Sequence, residues 1–222
     1  LLSRGLGDVY KRQVVSCAGV APAGALLTSP VKMFTRAFDI NAAANVVLAQ
    51  AFLPAMISNN HGHFMTVASS ASYFSLPNLC AYSMSKTAAL AFLESLRAEL
   101  RAVYKACRVR TSVVTPTKVR TVLAEGLNEG DDDFLMPVLE PIQVARAMAD
   151  TLNSGLSRNI SLPLGSALLP YLRALPEWYR GALRAMGNTD ALVTPESISR
   201  GQQALRGHQS NLDHMKKLGV HS

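Results

Sequence analysis

Cysteine is scarce in this chain of 222 residues: Cys17, Cys80 and Cys107 are the only three, and their spacing suits neither a metal nor a disulfide framework. They read as reduced thiols, so no metal site is expected. No unbroken apolar run of 18 residues is legible, so no membrane span is expected either. A strong basic run is also lacking. The net charge is +7, but the first 13 residues hold Arg4, Lys11 and Arg12 against Asp8, which is 3 − 1 = +2 of it. The remainder carries no nucleic-acid footprint. The chain has no initiator Met and no signal-peptide layout. Missing too is a strand, Gly-rich turn and helix that could cradle a pyrophosphate; Gly5, Gly7, Gly19 and Gly24 are the only early glycines. His61 and His63 flank Gly62 without spaced ligand partners, and read as a turn before a strand rather than a metal pair.

What is present is α/β patterning. With 49% hydrophobic residues, a chain of this length can bury one real core. A long helical pattern covers residues 30–57 and contains Phe38-Asp39-Ile40-Asn41. After the Asn59-Asn60-His61-Gly62 turn, His63-Phe64-Met65-Thr66-Val67-Ala68 reads as a buried strand. Arg108-Val109-Arg110-Thr111-Ser112-Val113-Val114-Thr115 reads as the next strand, ending at Pro116-Thr117-Lys118-Val119-Arg120-Thr121. Residues 141–152 read as a helix and residues 159–164 as the final strand.

Tyr82 and Lys86 stand four residues apart in Ala81-Tyr82-Ser83-Met84-Ser85-Lys86, which puts both side chains on one helix face. An ammonium there can lower the phenol's pKa from its usual value of about 10. Such a phenol exchanges a proton with an alcohol or carbonyl near neutral pH. Ser69 falls at the end of the preceding strand, and open parallel sheets place ligands beyond the carboxyl ends of their strands. A plainer reading stands beside this one: a surface Tyr, a solvated Lys, and Asn41 as an ordinary polar residue on a helix face. Ser70, Ser72 and Ser75 are loop hydroxyls without an assigned role.

In order and spacing this set resembles the short-chain dehydrogenase/reductase family over residues 14–164. Asn41, Ser69, Tyr82 and Lys86 fall on the family's catalytic tetrad, and Ser85 fits the position before the Lys. Pro116, Val119 and Thr121 fall on the segment that touches the nicotinamide carboxamide. Gln13-Val14-Val15-Ser16-Cys17-Ala18-Gly19 looks like the family's fourth strand and its Asn-Asn-Ala-Gly motif, with Ser16 and Cys17 in place of the asparagines. Ala51-Phe52-Leu53-Pro54-Ala55-Met56, Asn59-Asn60-His61-Gly62-His63 and Glu94-Ser95-Leu96-Arg97-Ala98-Glu99-Leu100 look like the branch holding lipid-handling retinol and hydroxysteroid dehydrogenases.

The resemblance implies an α/β fold: a partial Rossmann-type, doubly wound parallel sheet lacking its first strands and Gly-rich turn. It implies an oxidoreductase moving hydride between NAD(P)(H) and a small lipophilic alcohol or ketone of the retinoid, steroid or long-chain type. Tyr82 becomes the general acid/base, and Lys86 depresses its pKa and holds the cofactor ribose. Ser69 donates a hydrogen bond to the substrate oxygen, and Asn41 holds a water linking Lys86 to solvent. Ala18, Gly19, Tyr82, Lys86, Pro116, Val119 and Thr121 become cofactor contacts. The residue that selects between NADP and NAD follows a strand that is missing here; NADP is the first expectation and NAD the second. A homodimer through the helices at 30–57 and 80–104 is a further family expectation. Thr117 replaces the usual glycine after Pro116, and Ser72 stands where relatives often have Gly. These departures keep a noncatalytic binding or scaffold protein of the same family as the alternative.

Residues 1–13 resemble translated sequencing-adapter read-through and are expected to be a non-native leader. Residues 14–164 are then the C-terminal catalytic part of the domain, and 165–222 a helical cap and polar tail. The chain as written is expected to be cytoplasmic and inactive, and its full-length parent to sit at the ER membrane or a lipid droplet. Residues 124–134 read as the family's mobile substrate loop or as an ordinary surface loop. Residues 167–186 are apolar with Tyr171, Arg173, Trp178, Tyr179, Arg180 and Arg184 interspersed. They read as a cap over the substrate cleft, broken at Pro170 and Pro176, or as an interfacial helix on a lipid surface. Residues 196–222 are polar and without a repeat.

Overall fold

The computed structural model describes residues 12–124 and 137–186, together with residues 193, 194, 196, 198 and 199. The expected leader, the 124–134 loop and the polar tail lie largely outside these residues. Four strands form one parallel sheet in the order β1 (Gln13–Ser16), β2 (Gly62–Val67), β3 (Val109–Pro116) and β4 (Asn159–Leu162). Parallel neighbours require crossover connections, and helices supply them. The first crossover is a continuous helix: α1 (Val31–Phe38) runs through a π-helical turn (Asp39–Ala43) into α2 (Ala44–Ser58). The second is α3 (Cys80–Ala102) and the third is α4 (Pro141–Ser154).

Successive strand residues point to opposite faces, and the sequence fills both with apolar side chains. Phe64, Val109 and Val113 join Ala49, Leu53 and Met56 of α2 and Leu90, Leu93 and Leu96 of α3 in one core. Their neighbours Met65 and Val114 join Val144, Met148 and Leu152 of α4 on the other side. The sheet is therefore covered by helices on both faces, as doubly wound sheets are. Helix α4 starts where the sequence says it should. Pro141 occupies its first turn, and the Glu140 backbone N–H donates to Gln143 Oε1 at 2.7 Å in a reciprocal cap. Gly155, at φ 65°, ends it in the left-handed conformation that glycine takes at no steric cost.

Two expectations need correction. By length and composition the 28-residue helix Val31–Ser58 is long and apolar enough to cross a membrane. Asn45 and Gln50 interrupt the apolar run to the eye, but they carry no charge. In this fold the helix lies on the sheet, with Ala49, Leu53 and Met56 in the core. Pro170 does not break the C-terminal segment either. It sits in the first turn of α5 (Leu169–Leu172), where a missing N–H costs no hydrogen bond. The break falls beside Pro176, before α6 (Glu177–Met186).

His63 is a buried titratable group at the base of the sheet, away from the carboxyl strand ends. Its Nε2 lies 2.8 Å from Ser112 Oγ. Burial first, and the charge of Arg110 second, hold its pKa below the usual imidazole value. The neutral form is thus favoured in the folded state, and the unfolded chain binds the proton more readily. The sign follows: this contribution is fully present above the unfolded pKa of about 6.5 and is lost as pH falls through the lower, folded value. Thermal melts at pH 7.5 and 5.5 are expected to show a larger acid loss of Tm in the wild type than in His63→Gln. Equal losses would remove His63 from the pH dependence.

Candidate active site

The carboxyl end of β2 organises the site. The strand delivers the Val67 carbonyl and then Ser69, whose extended backbone caps a short 3₁₀ turn (Ser70–Ser72). Ser69 Oγ accepts a hydrogen bond from Ala71 N at 3.2 Å. After one loop, α3 begins at Cys80 and sets Tyr82 in its first turn and Lys86 one turn later. The Lys86 ammonium donates to the Val67 carbonyl at 2.8 Å and is buried. Burial draws its pKa down to about 8, against an opposing pull from neighbouring Cys17. Ser69 hydrogen-bonds the Tyr82 phenol and favours its ionised form, but burial outweighs this and pushes the phenol's pKa up.

That balance differs from the sequence-based expectation, in which Lys86 lowers the phenol. The lysine's described hydrogen bond is to a main-chain oxygen, which no sequence pattern reveals. A phenol pushed in this direction favours the protonated form, the one that can donate a proton.

Asn41 lies in the π-turn and is 2% exposed. Its Oδ1 accepts from Val20 N, and its Nδ2 donates to Val20 O and to Ser85 Oγ, each at 2.8 Å. Ser85 Oγ in turn donates to the Tyr82 carbonyl at 2.8 Å. Both amide hydrogens of Asn41 are thus taken by protein oxygens, and the residue braces the Gly19–Val20 loop against α3. Gly19 makes a close approach there. A Cβ on it would stand 3.2 Å from both Asn41 Oδ1 and Lys86 Nζ, so the loop backbone passes directly over the lysine.

The structure brings Ser69, Tyr82, Lys86, Asn41 and Gly19 together, with Ala18 exposed beside Gly19. Pro116 ends β3, next to the end of β2. Val119 packs into the core beneath α4, and Thr121 Oγ1 donates to the Val119 carbonyl at 3.3 Å. Val119 also pairs with Leu139, and the described hydrogen bonds of Thr121 stay within residues 119–124. Asn45 and Thr66, which the sequence did not single out, support the site from below. The loop after Ser69 is covered by α6: the Arg184 guanidinium lies 4.9 Å above the Phe74 ring. Arg184 also pairs with Glu177 at 2.9 Å.

The family model described as "short chain dehydrogenase" matches residues 12–132, more than half of the chain. The chain belongs to the short-chain dehydrogenase family. It is 36% identical over 181 residues to estradiol 17-beta-dehydrogenase 11 of Homo sapiens, covering 81% of this chain and 57% of that protein. It is 34% identical over 153 residues to epidermal retinol dehydrogenase 2 of Mus musculus, covering 66% of this chain and 49% of that one. The chain thus spans about half the length of these relatives. A gluconate 5-dehydrogenase from Burkholderia cenocepacia J2315, solved with NADP and tartrate, superposes with a TM-score of 0.60. The identity is 17%, and the match covers 70% of this chain and 64% of that one. At that identity the match supports the Rossmann-type fold alone.

The residues present fit the nicotinamide-ribose end of such a cofactor. The Gly19 backbone leaves the face above Lys86 free of a side chain, and the lysine brings a cation to it. Thr117 Oγ1, one residue beyond Pro116, is buried and has no hydrogen-bond partner among the described residues. No Gly-rich pyrophosphate cradle lies among the described residues.

Proposed function

We propose that this chain carries the catalytic part of an NAD(P)-dependent dehydrogenase acting on a lipophilic alcohol or its carbonyl, of the retinoid, steroid or long-chain type. The observation that carries the reading is the meeting of Ser69, Tyr82 and Lys86 beyond the carboxyl end of β2. When bound, the nicotinamide supplies or accepts the hydride. The chain's own residues do the rest. Ser69 donates a hydrogen bond to the substrate oxygen and stabilises charge as it develops there. Tyr82 gives its proton to that oxygen during reduction and becomes the phenolate; in the reverse direction the phenolate takes the proton of the alcohol. Lys86 stays largely protonated at neutral pH with a pKa of about 8, so a positive charge persists beside the site. Lys86 and Tyr82 hold the ribose, Ala18 and Gly19 line its path, and Pro116, Val119 and Thr121 meet the carboxamide. NADP is favoured over NAD.

The lipophilic class is supported by the names of the relatives, a steroid dehydrogenase and a retinol dehydrogenase. It is supported also by the apolar exposure of the C-terminal segment. Leu164 is 85% and Trp178 74% exposed, and Leu168 and Tyr171 are exposed nearby with Arg173 among them. That surface suits contact with a membrane or lipid droplet. Exposed Val46, Val47 and Met84 on α2 and α3 suit a homodimer. We read residues 14–164 as the catalytic part of the domain and the C-terminal helices as its cap.

The protein expressed from its complete reading frame, given NADPH and carbonyl substrates of increasing apolar length, is expected to show kcat/KM rising with length. A flat dependence would remove the lipophilic class, and no consumption of NADPH or of NADH with any carbonyl would remove the function.

A further inference from the structure

A π-turn inserts one residue into an α-helix and leaves a carbonyl without its usual i+4 partner. In the Asp39–Ala43 turn a side chain donates to two of the carbonyls. Asn45 Nδ2 donates to Asn41 O at 2.9 Å and to Ala42 O at 3.2 Å, which uses both of its hydrogens. Its Oδ1 accepts from Thr66 Oγ1 at 3.1 Å. Asn45 is 1% exposed, as is Thr66, so no water replaces these bonds without a rearrangement. Thr66 lies one residue before Val67, whose carbonyl holds Lys86, and three before Ser69.

We propose that Asn45 is a positioning residue: by capping the carbonyls of the π-turn and tying them to β2, it holds Asn41 on the Gly19–Val20 loop and so sets where Tyr82 and Lys86 stand. The role in turnover rests on the dehydrogenase reading; the structural link does not. The connection runs without a gap from Thr66 through Asn45 to the π-turn, and from Asn41 to Val20 and Ser85 and then to the Tyr82 carbonyl. The side chains in this connection, Thr66, Asn45, Asn41 and Ser85, are short and buried, so the geometry has little room to drift. An apolar side chain at position 45 would remove the side-chain bonds to both carbonyls and the acceptor of the Thr66 hydroxyl. Aspartate would set lone pairs against lone pairs at the same two carbonyls.

The Val20 amide reports the far end of this brace, because it donates to Asn41 Oδ1. In the protein expressed from its complete reading frame, well below the Tm of each variant, Asn45→Ala is expected to speed hydrogen exchange at Val20 by about tenfold. The Ala89 and Leu93 amides of α3, outside the brace, are expected to keep their wild-type rates. Turnover is expected to fall roughly 10- to 100-fold in kcat with little change in KM, as misplacement of a reacting group predicts. Its pH profile shifts as well, since the surroundings of Tyr82 and Lys86 change. A milder variant, Asn45→Ser, retains a hydroxyl donor and gives the same trend at smaller amplitude. It replaces Asn45→Ala should that protein not fold. An unchanged Val20 rate in the folded variant, with only Tm lowered, overturns the proposal and leaves Asn45 as an ordinary buried polar residue. A wild-type protein without hydride transfer overturns the dehydrogenase reading instead, and Val20 exchange still decides the brace.

Discussion

Tyr82→Phe, in the protein expressed from its complete reading frame, is expected to lower kcat by roughly 10²–10⁴-fold, the range that a positioned acid/base supplies. The change removes one oxygen and little else. The ring keeps its place on α3, and the Tyr82 carbonyl still accepts from Ser85 Oγ at 2.8 Å. Ser69 loses one partner and keeps the Ala71 N–H. KM is therefore expected to hold within about threefold, because the interaction lost is one made in the transition state. Thermal unfolding should move little for the same reason. Steady-state kinetics beside a melt separates the outcomes. A kcat within a factor of two of wild type, in a folded protein, would strip Tyr82 of the acid/base role.

Phe64→Ala is expected to cost about 3–5 kcal/mol of stability, or roughly 6–20 °C in Tm for a chain of this size. Phe64 is wholly buried in the middle of β2, beneath α2 and α3. Its ring meets Phe92 edge-on at 6.0 Å between centroids. Truncation opens a cavity that two helices and a sheet cannot both close around, since each is held by its own hydrogen bonds. Phe64→Leu should recover most of the loss. The site should suffer with the fold, because Thr66 and Val67 follow on the same strand. Urea or thermal unfolding of both variants checks this; a shift below about 2 °C for Phe64→Ala would mean the core packs differently.

Much of this was legible in the residues. Strands β2 and β3 appear as β-branched and apolar runs bounded by turns, and α3 as the helix that the Tyr82–Lys86 spacing requires. The position of Ser69 at a strand end followed from sheet geometry alone. What was not legible has physical reasons. A π-turn adds one residue to a helix without altering its composition, so residues 30–57 read as one regular helix and the bonds of Asn41 to Val20 and Ser85 stayed hidden. Lys86 is held by the Val67 main-chain carbonyl, and a carbonyl has no letter in the sequence. The apolar length of Val31–Ser58 was masked by uncharged polar residues, one of which, Asn45, acts inside the protein. Burial reversed the expected sign at Tyr82, because desolvation depends on what surrounds a group rather than on what precedes it in the chain.

A site that moves hydride between a nicotinamide and a carbonyl carbon, with Tyr82 handling the proton, carries a label on the cofactor into the product. The most direct test gives the protein, expressed from its complete reading frame, NADPH deuterated at the reactive C4 position and a lipophilic ketone in ordinary water. The alcohol is then examined by mass spectrometry. Deuterium on the carbinol carbon, lost when Tyr82 is replaced by Phe, is the predicted result. A folded wild-type protein that forms no labelled alcohol, with NADPH or with NADH labelled in the same way, would contradict this reading.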